Sequence, residues 1–382
     1  MNTRVGTFIK QLAGYTAFIP KPLPPEPPVQ FDDELHILLS EADRALARLD
    51  GIITVLPNPN LFIGMYVKKE ALLSSQIEGT QASLEGILEF EADLTPKENI
   101  EDIKEVINYI KALNYGIEML KEQPMSLRLI KDIHNILIEE TRGSKIIPGE
   151  FRKSQNWIGP QGASLSEAIF VPPPPEMVLS CMGEIEKFFY EYDHIPPLVK
   201  IALIHAQFET IHPFLDGNGR IGRLLITFYL FWKKILSRPV LYLSFYLKKH
   251  RSEYYDLLMK VRTEGAWEDW IKFFLKGVFE TSSESANTAK EIIKLKEDLI
   301  TKLYENSISS IYAIKLIDHL FENPLTETKS VMEKMKIHKD TANELVKAFE
   351  KIGILKEITG KQRYKKYLFK EYVNIISRGT EL

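Results

Sequence analysis

Ile211-His212-Pro213-Phe214-Leu215-Asp216-Gly217-Asn218-Gly219-Arg220-Ile221-Gly222-Arg223 decides how this 382-residue chain is read. An apolar-periodic segment, residues 197–210, runs into it and a strongly apolar one, 224–236, runs out, which makes it a polar loop pinched between two buried helices. Within it, Asp216-Gly217-Asn218-Gly219 is turn material, because glycine reaches positive φ without a Cβ clash and asparagine tolerates it. With a helix starting at about Arg220, converging backbone N–H groups and the positive end of the dipole make an anion site of the phosphate-binding kind. Arg220 and Arg223 stand three apart on that first turn, so both can face one anion. Asp216 suits a divalent cation bridging phosphates, and His212 at the mouth suits proton uptake near neutral pH. A plain turn between helices needs none of these four side chains.

The twelve positions from His212 to Arg223, His-Pro-Phe-x-Asp-Gly-Asn-Gly-Arg-x-Gly-Arg, resemble without departure the active-site motif of the Fic (Fic/Doc) family. That resemblance implies a helical core moving AMP from ATP to a target hydroxyl. It implies His212 as the base, Asp216 as the Mg²⁺ ligand, and Asp216, Gly217, Asn218, Gly219, Arg220 and Arg223 as ATP-binding residues. In the related Doc kinases a Lys stands where this chain has Gly219 and the nucleotide binds reversed, so adenylylation is favoured over phosphorylation.

A second resemblance lies upstream. The helix read at 61–78 ends at Gly79 and carries Glu78 at the negative end of its dipole, where a Lys would be favoured. A solvated surface Glu is one reading. Ser74-Ser75-Gln76-Ile77-Glu78-Gly79-Thr80 also resembles the Ser/Thr-x-x-x-Glu-Gly/Asn inhibitory motif of many Fic proteins. This implies Ser74, Glu78 and Gly79 as inhibitory residues, with Glu78 set against Arg223 inside the ATP site.

Composition narrows the class. The hydrophobic share of 45% and charged share of 26% are those of an ordinary globular protein, and a net charge of −3 gives no global field for nucleic acid or anionic membrane. Cys181 is the single cysteine, which excludes an intrachain disulfide framework or a Cys-based zinc site and fits a reducing compartment. Neither a signal sequence nor a membrane-length apolar run is present, and the reading is cytoplasmic.

In chain order, residues 1–30 form a proline-dense arm, with no clear period before 17 and IPKPLPPEPP after it. Residues 31–122 form a helical region: 32–52 stopped by Gly51, a break at 57–60, then 61–78, 83–91 and 98–121. The catalytic core is placed at 123–282, opening with a helix at 126–140 in which His134 reads as a core histidine. Between 143 and 175 helical period disappears, and Ala168-Ile169-Phe170-Val171 closed by prolines reads as a small hairpin. In the Fic family a comparable flap covers the nucleotide and pairs with the target backbone, which implies Val171 at the ATP site; a purely structural hairpin is the alternative. Tyr254 and Tyr255 resemble the family's adenine-contacting segment, and an amphipathic core edge is the alternative.

Residues 283–303 read as a helical connector and 304–382 as three helices followed by two strands around Thr359-Gly360-Lys361-Gln362. That order resembles a winged helix-turn-helix. Residues 331–370 hold 11 Lys+Arg against 5 Asp+Glu, a local +6, and Arg363, Lys365 and Lys366 on the wing suit DNA phosphates. Protein docking is the other use of such a unit. The expected architecture is therefore mainly α, with a Fic-type helical core, a small β-hairpin flap and a C-terminal winged helix. Expected partners are ATP, a hydroxyl-bearing protein (this chain itself among the candidates), DNA or protein at the winged helix, and a second copy in a homodimer. A nucleotide-sensing transcriptional regulator and removal of AMP by the same site are the alternative functions.

Overall fold

The computed structural model describes residues 4–12, 14–54, 59–139, 147–160 and 162–381. The elements are, in order, β1 (Thr7–Lys10), β2 (Thr16–Ile19), α1 (Asp33–Thr54), α2 (Asn60–Ile77), α3 (Leu84–Glu91), α4 (Ile100–Met119), α5 (Leu127–Leu137), α6 (Pro175–Tyr190), α7 (Pro197–Ile211) and α8 (Asn218–Trp232). They continue with α9 (Ser244–Lys249), α10 (Arg251–Glu264), α11 (Trp267–Glu305), α12 (Ile311–Glu322), β3 (Leu325–Glu327), α13 (Thr328–Met335), α14 (Lys339–Lys351), β4 (Lys356–Glu357), β5 (Lys366–Leu368) and α15 (Lys370–Ser377).

Two helices form the centre. Every residue of α7 from Leu198 to Ile211 is buried, Lys200, His205, Gln207 and Glu209 among them, as is nearly all of α8, so both helices lie within the core. Pro197 at the first turn starts α7, where its missing N–H costs nothing. Helix α2 crosses this centre and touches α4, α8, α9, α12 and α15, so one element reaches both the motif loop and the C-terminal unit. Ser83, Asn99 and Ser126 cap α3, α4 and α5 through their side chains.

Several expectations need correction. Gly51 does not stop α1, which continues to Thr54 because Ile53 is still buried. The expected break at 57–60 and the ends of the 126–140 and 143–175 segments fall partly on residues outside the described ones. The connector at 283–303 is not a separate element: α11 runs unbroken for 39 residues and packs along α1, and its Ser285, Ala286, Thr288, Ala289 and Ile292 are buried. The N-terminal stretch carries a hairpin, Phe8 pairing with Phe18, that shows no alternation because all four residues of β1 are exposed. The proline arm is tied down, Arg4 Nε donating to the Pro27 carbonyl (2.7 Å) and Gln207 Nε2 to that of Lys21 (2.7 Å).

In the C-terminal unit α12, α13 and α14 pack with a three-stranded antiparallel sheet ordered β3-β5-β4, Thr326 facing Tyr367 and Tyr367 facing Glu357. The edge strand β3 and helix α15 had no sequence signal strong enough to be read. Lys366 is already paired with Glu327 (3.3 Å), which removes one of the three wing cations from the set free for phosphate.

Candidate active site

The motif loop is built by its own side chains and by one histidine below it. Helix α7 ends because His212 takes the left-handed conformation, φ 49°, and α8 begins after Gly217, φ 75°. Asn218 closes the loop from inside, its Oδ1 accepting from Phe214 N (2.8 Å) and its Nδ2 donating to the Phe214 carbonyl (2.8 Å). Its side chain is therefore a staple, and what it offers an anion is the backbone at the helix start. His134, expected as a core histidine, stacks on Phe214 with centroids 3.8 Å apart, accepts from Gly149 N at Nδ1 (2.9 Å) and meets the Asp216 carbonyl at Nε2 (3.2 Å). Those two partners fix the neutral tautomer with the proton on Nε2, and burial lowers its pKa to about 4.

The two motif arginines differ. Arg220 is buried, lies 3.7 Å from Glu105 and 3.8 Å from Asp216, and its Nε and one terminal nitrogen have no hydrogen-bond partner. A buried guanidinium with open donors beside a helix N-terminus is a fitted anion site. Arg223 is engaged instead, its Nε donating to Ser74 Oγ (2.8 Å) and one terminal nitrogen to the Ser74 carbonyl (2.9 Å) and to Glu78 Oε1 (2.6 Å). Burial opposes both charges in this pair, and mutual attraction outweighs it, so the Glu78 carboxyl is held below its usual range and the Arg223 guanidinium is raised. A Cβ on Gly219 would fall inside the Glu78 carboxylate. Glycine there lets the carboxylate lie directly on α8.

Around His212 stand residues that the sequence reading missed. Arg152 Nε (2.9 Å) and Asn156 Nδ2 (3.1 Å) donate to the His212 carbonyl, and Arg152 N donates to that of Pro213 (2.9 Å). Glu209, one turn back on α7, lies 4.0 Å from His212 Nδ1, and burial raises its pKa to about 7. Arg262 donates to the Glu209 carbonyl (3.0 Å) and lies 4.2 Å over the Phe170 ring. Desolvation, then Arg262 and Arg152, push His212 down to about 4, so the imidazole stands unprotonated at neutral pH. The i−3 spacing of Glu209 from His212 was a readable signal; Arg152 and Asn156 come from irregular backbone and gave none.

The remaining predicted residues divide. Tyr254 is buried at 1% exposure, its hydroxyl on His205 Nε2 (2.9 Å) beneath α8, so it is a core residue and not an adenine platform. Tyr255 packs beside it and stays 40% exposed, which leaves its ring accessible. The expected hairpin at 168–171 reduces to one antiparallel bridge, Ile158 to Phe170. The Val171 carbonyl accepts from Phe18 N of β2 (2.9 Å), which ties this segment to the N-terminal hairpin. Asp216 Oδ1 accepts from Gly217 N (2.6 Å) and half its side chain is exposed. Among the described residues no group of three His, Cys, Asp or Glu forms a metal cage; what the loop offers a cation is the one half-exposed Asp216 carboxylate.

This geometry coincides with what the chain matches. Residues 36–118 match the Fic/DOC family N-terminal region, 124–230 the Fic/DOC family domain, and 297–371 the C-terminal domain of protein adenylyltransferase SoFic-like proteins. The chain belongs to the Fic/DOC family. A "Protein adenylyltransferase Fic" from Drosophila grimshawi is 29% identical over 217 residues, 54% of this chain and 41% of that protein. A "Probable protein adenylyltransferase" from Aquifex aeolicus is 30% identical over 171 residues, 43% of this chain and 48% of that one. The chain thus spans less than half the length of these curated relatives. In fold, this Fic protein is similar to a Fic family protein from Desulfovibrio desulfuricans, with a TM-score of 0.57 at 18% identity over 90% of this chain and 97% of that one. Among the described residues no helix is long and apolar enough to cross a membrane.

Proposed function

We propose that this Fic protein transfers AMP from ATP to a hydroxyl of a protein and that Glu78 holds the transfer down. The observation that carries the reading is the split between the motif arginines: Arg220 buried with open donors, Arg223 closed on Glu78 at 2.6 Å. In this reading the α8 amides and Arg220 receive the triphosphate, whose negative charge also raises the basicity of His212. His212 takes the proton of the attacking hydroxyl, the new bond forms between that oxygen and the α-phosphorus, and the bond from it to the oxygen leading to the β-phosphorus breaks, releasing diphosphate. A divalent cation such as Mg²⁺, held by Asp216 and phosphate oxygens, would supply charge neutralisation. Arg223 clamps the γ-phosphate once Glu78 leaves; a guanidinium fork serves a carboxylate or a phosphate, not both. The C-terminal unit is read as a winged helix, a reading supported by its helix order and its antiparallel sheet.

The test uses α- and γ-³²P-labelled ATP side by side with cell lysate and with the chain alone. Label from the α- but not the γ-position should enter protein, weakly with wild type and at least ~10-fold faster with Glu78→Gly, about 1.4 kcal/mol off the barrier. His212→Ala in that background should lose ~10²–10⁴-fold while still binding ATP. Label from the γ-position, or equal rates for wild type and Glu78→Gly, would refute the reading.

A further inference from the structure

Arg223 is not the only group fixing the last turn of α2. Two residues before Glu78, the Gln76 carboxamide donates to the Ala82 carbonyl (3.1 Å) and to the Thr380 carbonyl (2.9 Å), and its oxygen accepts from Lys248 Nζ (2.7 Å). Lys248, near the end of α9, donates as well to the Glu381 carbonyl (2.6 Å). Gln76 is only 8% exposed, so this is a buried crosslink among three segments: the turn after α2, α9, and residues 380–381. A buried amide with both donors and its acceptor engaged is expensive to disconnect.

The segment at 380–381 is set in place on its own account. Thr380 N bonds back to the Ser377 carbonyl (2.9 Å) and closes the end of α15. Gly379 stands at φ 78°, and the Phe245 ring fills the place a Cβ would take, so only glycine fits against α9 here. Helix α15 in turn belongs to the C-terminal unit: β5, the central strand of its sheet, leads into it through Phe369, and Phe321 of α12 packs on Tyr372 (centroids 4.8 Å). The same helix rests on α2, α3 and α11. A shift of β5 and α15 that carried residues 380–381 away by an ångström would therefore stretch the Gln76–Thr380 and Lys248–Glu381 bonds beyond hydrogen-bond length.

The inhibitory turn needs such an anchor. The Glu78 side chain is 37% exposed, and an ion pair open to water on one side is weak support for a helix end that runs straight into a glycine. We propose that Gln76, Lys248 and residues 379–381 form a second latch on the inhibitory turn, through which the position of the C-terminal unit sets the rate of transfer. Gln76 and Lys248 act here as positioning residues for Glu78, and the inference rests on Glu78 being the lock.

Lys248→Met and, from the opposite side, Gly379→Val test it in the full chain. Each is measured for α-label transfer in the wild-type and the Glu78→Gly background, with hydrogen exchange followed at residues 75–80. Each single variant should raise transfer roughly threefold to tenfold, the worth of one or two net hydrogen bonds, and speed exchange at 75–80. Neither should add anything once Glu78 is glycine. Unchanged transfer and unchanged exchange in both variants would overturn the latch, and so would an equal gain in the Glu78→Gly background, which would place the effect elsewhere. Should Glu78→Gly itself fail to raise transfer, the lock reading falls and exchange alone decides the contact: faster exchange at 75–80 supports it, unchanged exchange overturns it.

Discussion

Arg220 and Arg223 leave the same turn of α8, three residues apart, and their surroundings are opposite. Around Arg220 the protein supplies two carboxylates no nearer than 3.7 Å and leaves two buried nitrogens open; around Arg223 it supplies a hydroxyl, a carbonyl and a carboxylate, all within 2.9 Å. Arg220 is held in the core with two of its nitrogens unbonded. Arg223 is arranged by a different helix, α2, for a partner already present. Residues that share a motif thus need not share a state, and what distinguishes them lies about 145 positions away in sequence.

The largest effect expected from this contrast concerns catalysis. In the Glu78→Gly background, Arg220→Ala should cost ~10²–10³-fold in α-label transfer, as loss of a donor to transition-state charge does. Arg223→Ala in the same background should lose only about the tenfold gained by release, because the proposal gives it the γ-phosphate and not the reacting centre. Equal losses would erase the distinction. A smaller effect concerns stability. Gly219→Ala should destabilise the wild type by ~1–3 kcal/mol, since the new methyl collides with the Glu78 carboxylate. With Glu78→Gly the same change should be neutral or stabilise by up to ~1 kcal/mol, alanine being the better helix former. Urea denaturation of the four proteins measures this coupling, and its absence would show that Glu78 does not rest on α8 in solution.

The smallest effect is one of pH. The Glu78 carboxyl, despite desolvation, is held by Arg223 below its ordinary value of 4.5, so its contribution is present above that value and lost only as pH falls through the lower, folded value. The ratio of Glu78→Gly to wild-type transfer should therefore stay level between pH 8 and 5.5. A ratio that shrinks toward pH 5.5 would mean a carboxyl already taking up protons and a loose pair.

What could be read in advance follows the range over which each signal acts. The motif loop was legible because every role in it is local: turn residues, a helix start, and side chains three or four positions apart. Glu78 was legible as a misplaced charge, though not its seat over Gly219, which depends on how closely α2 approaches α8. Tyr254 was misread because an aromatic beside another aromatic carries no mark of which one faces inward; only the hydroxyl on His205 tells them apart. Arg152 and Asn156 hold the His212 carbonyl from a stretch of irregular backbone, where no period exists to be read. β1 escaped notice because both its faces are wet, and alternation is a signal only where one face is dry.

The continuity of α11 has a mechanical consequence. At 39 residues and 1.5 Å each the helix is a beam roughly 58 Å long, and bending it sharply would break backbone bonds along its length. Its first third carries Trp270 and Phe274 in the catalytic core, and its last turn leads through residues 306–310 into α12. A load applied to the C-terminal unit can therefore not be absorbed by flexing between the two halves of the chain. It is taken up at the short joint after Glu305 and where α12 and α15 bear on α2, the helix whose last turn carries Glu78.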